Sequence, residues 1–322
     1  MKADRPRIVR RAVHGVLLLD KGLGASSNAA LQQAKRLYRA EKAGHTGTLD
    51  PLATGLLPIC FGAATKFAQV SLDADKRYLA TLKLGVTTTT GDGEGEALRV
   101  RGGCVTRADV AAACAGFVGA IHQVPPMHSA LKHEGKPLYA YARDGVEVER
   151  APRAVTIHSI EIVEGEADRW RLDVWCSKGT YVRTLAEGIG EALGCGAHLA
   201  ALRRTASGRL SIEAALPIEC FADFDDAALE AALLPVHTLV ADWPAVSLGP
   251  EDAGRFLAGA RRRLGLADAP RVRVHGLGGA FLGTGHMAGG ELIATRLLSP
   301  AEVAGATPAA RPRIEEPESL LS

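Results

Sequence analysis

The segment Gly44-His45-Thr46-Gly47-Thr48-Leu49-Asp50-Pro51 puts one carboxylate on a stretch built for a fixed backbone path. Glycines at 44, 47 and 55 permit tight turns, and Pro51 biases Asp50 away from helical angles. A carboxylate held on a rigid loop suits nucleophilic attack provided it is ionised, and a nearby cation favours ionisation by lowering its pKa. Arg183 and Lys66 are the cations considered for that place. The same residue types also build an Asx turn, in which Asp50 bonds backbone amides and does no chemistry. His45 faces a similar choice, between a side chain at the cleft and one satisfied in the core. Tyr78 and Tyr181 offer flat apolar faces on which a nucleobase stacks, worth roughly 1–3 kcal/mol per base; a strand tyrosine without such a task is simply core.

Other constellations carry less. His122, His128 and His133 match neither a helix face nor a zinc pattern, so no metal site is expected. Gly283-x-Gly285-x-x-Ala288 echoes a dinucleotide fingerprint, but no helix or distal acid follows it. None of the six cysteines forms a C-x-x-C pair, which fits free thiols in a reducing compartment.

The elements that must position these residues follow from the pattern. Gly15 to Asp20 reads as a short buried strand, and Ser26 or Ser27 caps a helix through about Tyr38. Gly55 to Phe61 is apolar and buried, and Ala64 to Val70 continues as a short helix. Lys76 to Leu84 alternates as a strand, with Tyr78, Ala80, Leu82 and Leu84 on one face. Thr87 to Gly95 reads as a polar, glycine-rich connection, and Arg107 to Phe117 as a small helix. Residues 123–153, with Pro125, Pro126, Pro137 and Pro152, form a long functional excursion. Val155 to Val163 and Arg169 to Ser177 alternate as an antiparallel pair, followed by a helix from about Tyr181 to Leu193.

The whole chain bounds the function. It has 322 residues, 47% of them apolar, which supports a sizeable core. No apolar run is long enough to span a bilayer or to serve as a signal peptide, so a cytoplasmic protein is expected. The net charge of +2 hides an asymmetry. Asp223, Asp225, Asp226, Glu230 and Asp242 precede Arg255, Arg261, Arg262, Arg263, Arg271 and Arg273, and Lys35, Arg36, Arg39 and Lys42 lead into the Asp50 segment. Such patches suit a polyanionic partner, although each by itself also reads as a solvated face.

Lys42 to Pro58, followed by Gly62-Ala63-Ala64-Thr65-Lys66-Phe67, resembles the nucleophile motif of the TruB family of tRNA pseudouridine synthases. Lys76-Arg77-Tyr78 resembles that family's second motif, Ser177 to Thr184 its third, and Ala201-Leu202-Arg203-Arg204-Thr205 the segment whose leucine closes the uridine pocket. The similarity runs from about Gly15 to Leu298. It departs at Gly22, where proline is usual, and at His128, where tyrosine is usual in the RNA-gripping thumb loop.

The resemblance implies an α+β pseudouridine synthase fold with a central, mainly antiparallel sheet and a small β-rich PUA-like domain. Residues 1–12 would be a flexible basic arm, 13–242 the catalytic domain with its thumb at about 123–153, 243–300 the PUA-like RNA-binding domain, and 301–322 a disordered tail. The implied activity is isomerisation of uridine 55 in the tRNA T-loop, with the base flipped out of its stack. Asp50, Tyr78 and Arg183 would be catalytic. His45, Tyr78, Tyr181, Leu202 and Lys66 would bind substrate, His45 by filling the space the base leaves. Residue types leave open whether Asp50 attacks the sugar or the ring, or whether elimination comes first; Tyr78 is a candidate to take the proton from carbon 5. The reaction changes no oxidation state, so no cofactor or metal is expected. Nor is a membrane or protein partner, and the protein should be a monomer. Two other readings stand beside this one: a synthase that depends on a guide RNA, and a tRNA-folding chaperone for which catalysis is secondary.

Overall fold

A computed structural model of the chain describes residues 9–103 and 105–306. It begins with β1 (Gly15–Lys21), which is buried along almost its whole length. Ser26 caps α1 (Ser27–Leu37) by accepting from Ala29 N, and Ala30, Leu31 and Ala34 face the core at helical spacing. The strands β2 (Ala43–His45) and β3 (Ala53–Phe61) pair antiparallel, His45 opposite Ile59. The segment between them is therefore a closed excursion with both ends fixed in a sheet, and Asp50 sits on it.

After α2 (Ala68–Asp73) comes β4 (Lys76–Leu84), where Ala80, Leu82 and Leu84 are buried on one face as the alternation predicts. The expected polar connection that follows contains a small hairpin, β5 (Val86–Thr88) and β6 (Ala97–Val100). Next are α3 (Arg107–Ala115) and β7 (Gly119–Gln123). The excursion expected at 123–153 holds a two-residue ladder, β8 (Lys132–His133) with β9 (Lys136–Pro137), and α4 (Leu138–Arg143). The antiparallel pair is β10 (Arg153–Glu166) and β11 (Arg169–Cys176), and α5 (Val182–Ala192) follows. Then come β12 (Ala197–Ser207), β13 (Leu210–Ser211), β14 (Leu216–Pro217) and α6 (Asp226–Ala231).

The main sheet runs β14-β1-β3-β12-β4-β11-β10-β7, with β2 paired to β3 and β13 to β12. Only β1 with β14 and β3 with β12 are parallel. One face packs under α5 through Leu82, Leu172, Val174, Leu185 and Ile189; α1 covers the neighbouring part through Leu17, Leu31 and Ile59.

The last part of the described chain is a five-stranded sheet of β15 (Ala245–Ser247), β16 (Arg262–Arg263), β17 (Ala269–His275), β18 (Phe281–Ala288) and β19 (Glu291–Leu297), with α7 (Pro250–Leu257) against it. Gly283, Gly285 and Ala288 lie within β18, where an added Cβ at Gly283 would come 2.1 Å from Arg296 O. Phe281 and Leu298 enter a core shared with Val16, Leu18, Leu56, Cys60 and Phe67 of the main sheet region.

Two expectations about the chain ends change. Residues 301–306 are not a tail but part of α8 (Pro300–Ala306), because Glu302 is held by Lys66 and caps Ser299 N. Arg11 is not part of a free arm: it bridges to Ala40 and pairs with Glu230 at 2.7 Å. The rest of the expected arm, 1–8, and of the expected tail, 307–322, lies outside the described residues. Cys60, Cys114, Cys176, Cys195 and Cys220 are free thiols, and no helix among the described residues is long and apolar enough to cross a membrane.

Candidate active site

The Asp50 loop is fastened at several points. Thr46 N donates to Pro58 O at 3.1 Å, and Gly24 N to Pro51 O at 2.8 Å. Ser27 Oγ both accepts from Leu49 N (2.7 Å) and donates to Leu49 O (2.9 Å), so the start of α1 clamps the residue before the carboxylate. Asp50 O accepts from Ala53 N at 3.0 Å, which closes the turn through Pro51 and starts β3. These bonds occupy the backbone and leave the Asp50 side chain, 43% exposed, pointing into a cleft.

Its partner comes from the first turn of α5. Arg183, 6% exposed, places Nη2 3.0 Å from Asp50 Oδ2 and Nη1 3.5 Å from Oδ2 of Asp92. The same guanidinium donates to Thr90 O at 3.1 Å and to His128 O at 2.6 Å. One cation thus joins the Asp50 loop, the turn beyond β5 and the excursion at 123–153. Asp92 is itself fixed: Thr90 Oγ1 donates to its Oδ1 at 2.5 Å, and so does Glu94 N at 3.1 Å.

The electrostatics differ from the simple expectation that Arg183 depresses Asp50. Burial in the cleft raises the Asp50 carboxyl above the ordinary carboxylate range; Arg183 opposes that, Asp92 adds to it, and Lys21 opposes more weakly. Glu94 is also pushed up, chiefly by burial and then by Asp92 and Asp50. The site is a group of three carboxylates sharing Arg183 and Lys21. Lys21 is buried and donates to Gly22 O and Ala25 O at 2.9 and 2.7 Å. Gly22 needs no special conformation there, and an added Cβ would meet nothing within 4 Å.

Asp50 and Arg183 line both of two adjoining cavities. The inner one, about 390 Å³, is walled by Tyr78, Tyr181, Leu202, Ala53 and Arg204. It is a slot with aromatic and aliphatic sides, of a size for a small planar ligand. The outer one, about 550 Å³, is bordered by His45, His128, Tyr139, Arg143 and Glu94. Tyr181 is held by Gln123, whose Oε1 accepts from Tyr181 N (3.0 Å) and whose Nε2 donates to Tyr181 O (3.3 Å). Burial pushes the His45 imidazole below its usual range and Arg204 adds to that, so the ring is neutral near pH 7.

Asp50, Tyr78, Tyr181, Arg183, Leu202 and His45 therefore meet around one cleft. Lys66 does not. Its Nζ donates to Leu297 O at 2.9 Å and pairs with Glu302 at 2.6 Å, a structural tie to the C-terminal part rather than a contact with Asp50. Buried Asp92 and exposed Glu94 carried no signal in the sequence; Asp92 stands between Gly91 and Gly93, which mask it as turn chemistry. Lys76 is also recessed, its amine pushed down to about 8 by burial while it donates to Ser71 O, Leu72 O and Ala74 O at the end of α2.

Among known proteins, residues 35–182 match the N-terminal domain of the TruB family pseudouridylate synthases. Residues 183–241 match the tRNA pseudouridylate synthase B C-terminal domain, and 244–298 the C-terminal region of pseudouridine synthase II TruB. The tRNA pseudouridine synthase B of Burkholderia mallei (strain ATCC 23344) is 54% identical over 303 residues, covering 92% of this chain and 97% of that protein. That of Thiobacillus denitrificans is 54% identical over 295 residues, covering 90% and 97%. Among solved structures, an archaeal box H/ACA sRNP Nop10–Cbf5 complex superposes with a TM-score of 0.67 at 25% identity, covering 89% of this chain and 86% of that one. A Cbf5–Nop10–Gar1 complex gives 0.68 at 27%, covering 89% and 84%.

Proposed function

The chain belongs to the TruB family of pseudouridylate synthases, and from that membership we propose that it is a stand-alone tRNA pseudouridine synthase acting on uridine 55 of the T-loop. The observation that carries the reading at the level of residues is the Asp50–Arg183 pair at 3.0 Å, which lines both the slot walled by Tyr78, Tyr181 and Leu202 and the wider cavity beside it. A base stacked in a tRNA loop must leave its stack to be reached. Tyr78, Tyr181 and Leu202 give the extruded uracil its walls, and His45, neutral and at the mouth, fills the gap it leaves. Asp50 supplies the carboxylate that initiates cleavage of the bond between N1 and the sugar. Arg183 holds that carboxylate in place and balances its charge. The base turns within the slot and rejoins through carbon 5, after which the carbon 5 proton is removed by the Tyr78 oxygen.

In this reading residues 13–242 form the catalytic unit, with the thumb at about 123–153 closing over the RNA, and 243–300 form a PUA-like RNA-binding module. The protein acts as a cytoplasmic monomer. The test is incubation of the purified chain alone with an unmodified T-arm hairpin, read by mass spectrometry. Pseudouridine at the position of uridine 55 is expected; strict dependence on added RNA or protein partners would instead favour the guide-dependent type. Asp50→Asn should abolish product while leaving tRNA affinity in place, and normal product formation by that variant would remove Asp50 from the nucleophile's role.

A further inference from the structure

Arg204 has no part in the steps above, yet it is the largest side chain the described protein buries completely, at 1% exposure. A guanidinium out of water is costly unless its N–H groups are bonded. Its hydrogen-bond partners are neutral carbonyl oxygens: Nε donates to Leu56 O at 2.7 Å and Nη2 to Gly47 O at 3.2 Å. Arg204 and Tyr78 are directly opposed on β12 and β4, and both line the inner cavity together with Asp50. The nucleophile loop makes room for this. An added Cβ at Gly47 would sit only 3.3 Å from Arg204 Nη1.

The arrangement leaves a formal positive charge whose backbone partners bring no countercharge and which lies directly across the sheet from one phenol. Burial pushes that phenol above the usual tyrosine range, and Cys176 and Asp50 add to the effect. Arg204 works against them by its charge. Beside a guanidinium this buried such an interaction is stronger than in water.

We propose that Arg204 is the positioning residue of the proton-transfer step: it aims the Tyr78 oxygen at carbon 5 and stabilises negative charge on that oxygen until the proton arrives. In that step the carbon 5–hydrogen bond breaks, its electron pair re-forms the carbon 5–carbon 6 double bond, the carbon 6–nitrogen 1 π pair moves onto nitrogen 1, which takes a proton from solvent, and the hydrogen from carbon 5 joins the Tyr78 phenolate to give the phenol. The phenol returns its proton to solvent after product leaves. No oxidant or further reactant enters. The inference rests on the reading of Tyr78 given above.

The experiment compares uridine with uridine deuterated at carbon 5 in a T-arm hairpin, under single turnover, for the full chain and its Arg204→Met, Arg204→Lys and Tyr78→Phe variants. Affinity for the hairpin and the melting temperature report folding. Arg204→Met is expected to slow the reaction roughly tenfold to a hundredfold with affinity nearly unchanged, and to show a primary isotope effect like that of Tyr78→Phe. Arg204→Lys, which keeps the charge but not the planar fork bonded to Leu56 O and Gly47 O, should fall between and carries the test should the methionine variant not fold. A slowed Arg204 variant without an isotope effect, or one that is not slowed, overturns the proposal. A Tyr78→Phe variant with normal rate and no isotope effect removes the reading of Tyr78 itself, whatever Arg204 does.

Discussion

Asp50 is held between opposing influences: burial and Asp92 favour its protonated form, while Arg183 and Lys21 favour the carboxylate. The net direction is upward, so two consequences follow. In the proposed reaction only the ionised form of Asp50 attacks, so the rate should fall on acidification through a pKa above the ordinary carboxylate range. Stability runs the other way: a carboxyl whose folded pKa is raised binds protons better folded than unfolded, so stability declines as pH rises from the unfolded toward the folded value and stays lower above it. Asp50→Asn should therefore melt no lower than the parent at neutral pH, measured by thermal unfolding, although it is inactive. Asp92→Asn removes a negative neighbour of Asp50 and one anchor of Arg183. Its acid limb should move to lower pH while its maximal rate drops by roughly tenfold or more, both read from a single-turnover pH–rate profile. An unmoved limb would mean that Asp92 does not act on Asp50. Asp50 and Arg183 could be singled out in sequence because each sits in a long motif. Asp92 had only flanking glycines, and its burial depends on α5, far away in the chain.

Among the elements, the strands with strict alternation were readable and the one that matters most at the site was not. The faces of β11 and β4 follow the period-two rule closely, while β10 slips register against β11 between Ile157 and Ser159 and between Ile162 and Glu164. Central β12, which carries Leu202 and Arg204, breaks that rule twice, with register irregularities between Leu199 and Ala201 and between Arg204 and Ala206. It also buries an arginine where the pattern asks for an apolar residue. Its parallel contact with β3 depends on Gly55, which has φ +99° and whose added Cβ would lie 2.4 Å from Arg204 O. Gly55→Ala should thus cost about 2–4 kcal/mol, measured by urea unfolding. The control is Gly22→Ala, where nothing lies within 4 Å of the new Cβ and the change should stay within about 0.5 kcal/mol. Equal effects at the two glycines would mean that the β3–β12 contact tolerates a side chain.

At the scale of the whole molecule, the charge asymmetry seen in the sequence is partly cancelled in space. Arg255 pairs with Glu251 at 2.6 Å, Arg261 lies 3.7 Å from Glu291, and Arg262 pairs with Asp252. Arg263 is exposed on β16 and forms no ion pair among the described residues. If the C-terminal sheet grips phosphates, Arg263→Ala should reduce the salt dependence of tRNA affinity by a slope of about 0.7–0.9, and Arg255→Ala by less; an unchanged slope for Arg263→Ala would place the phosphate contacts elsewhere. The Glu251–Arg255 pair has the i,i+4 spacing of a helix and is legible in sequence, whereas Asp252 and Glu291 lie beside Arg262 and Arg261 only after folding. The core that Phe281 and Leu298 share with Val16 and Leu56, reinforced by Lys66 on Glu302, has a consequence of its own. The C-terminal sheet is not on a tether. The spacing between it and Asp50 is set like the jaws of a fixed gauge, so a tRNA bearing an extra base pair between the T-loop and the acceptor end would be out of step with one jaw whenever it met the other.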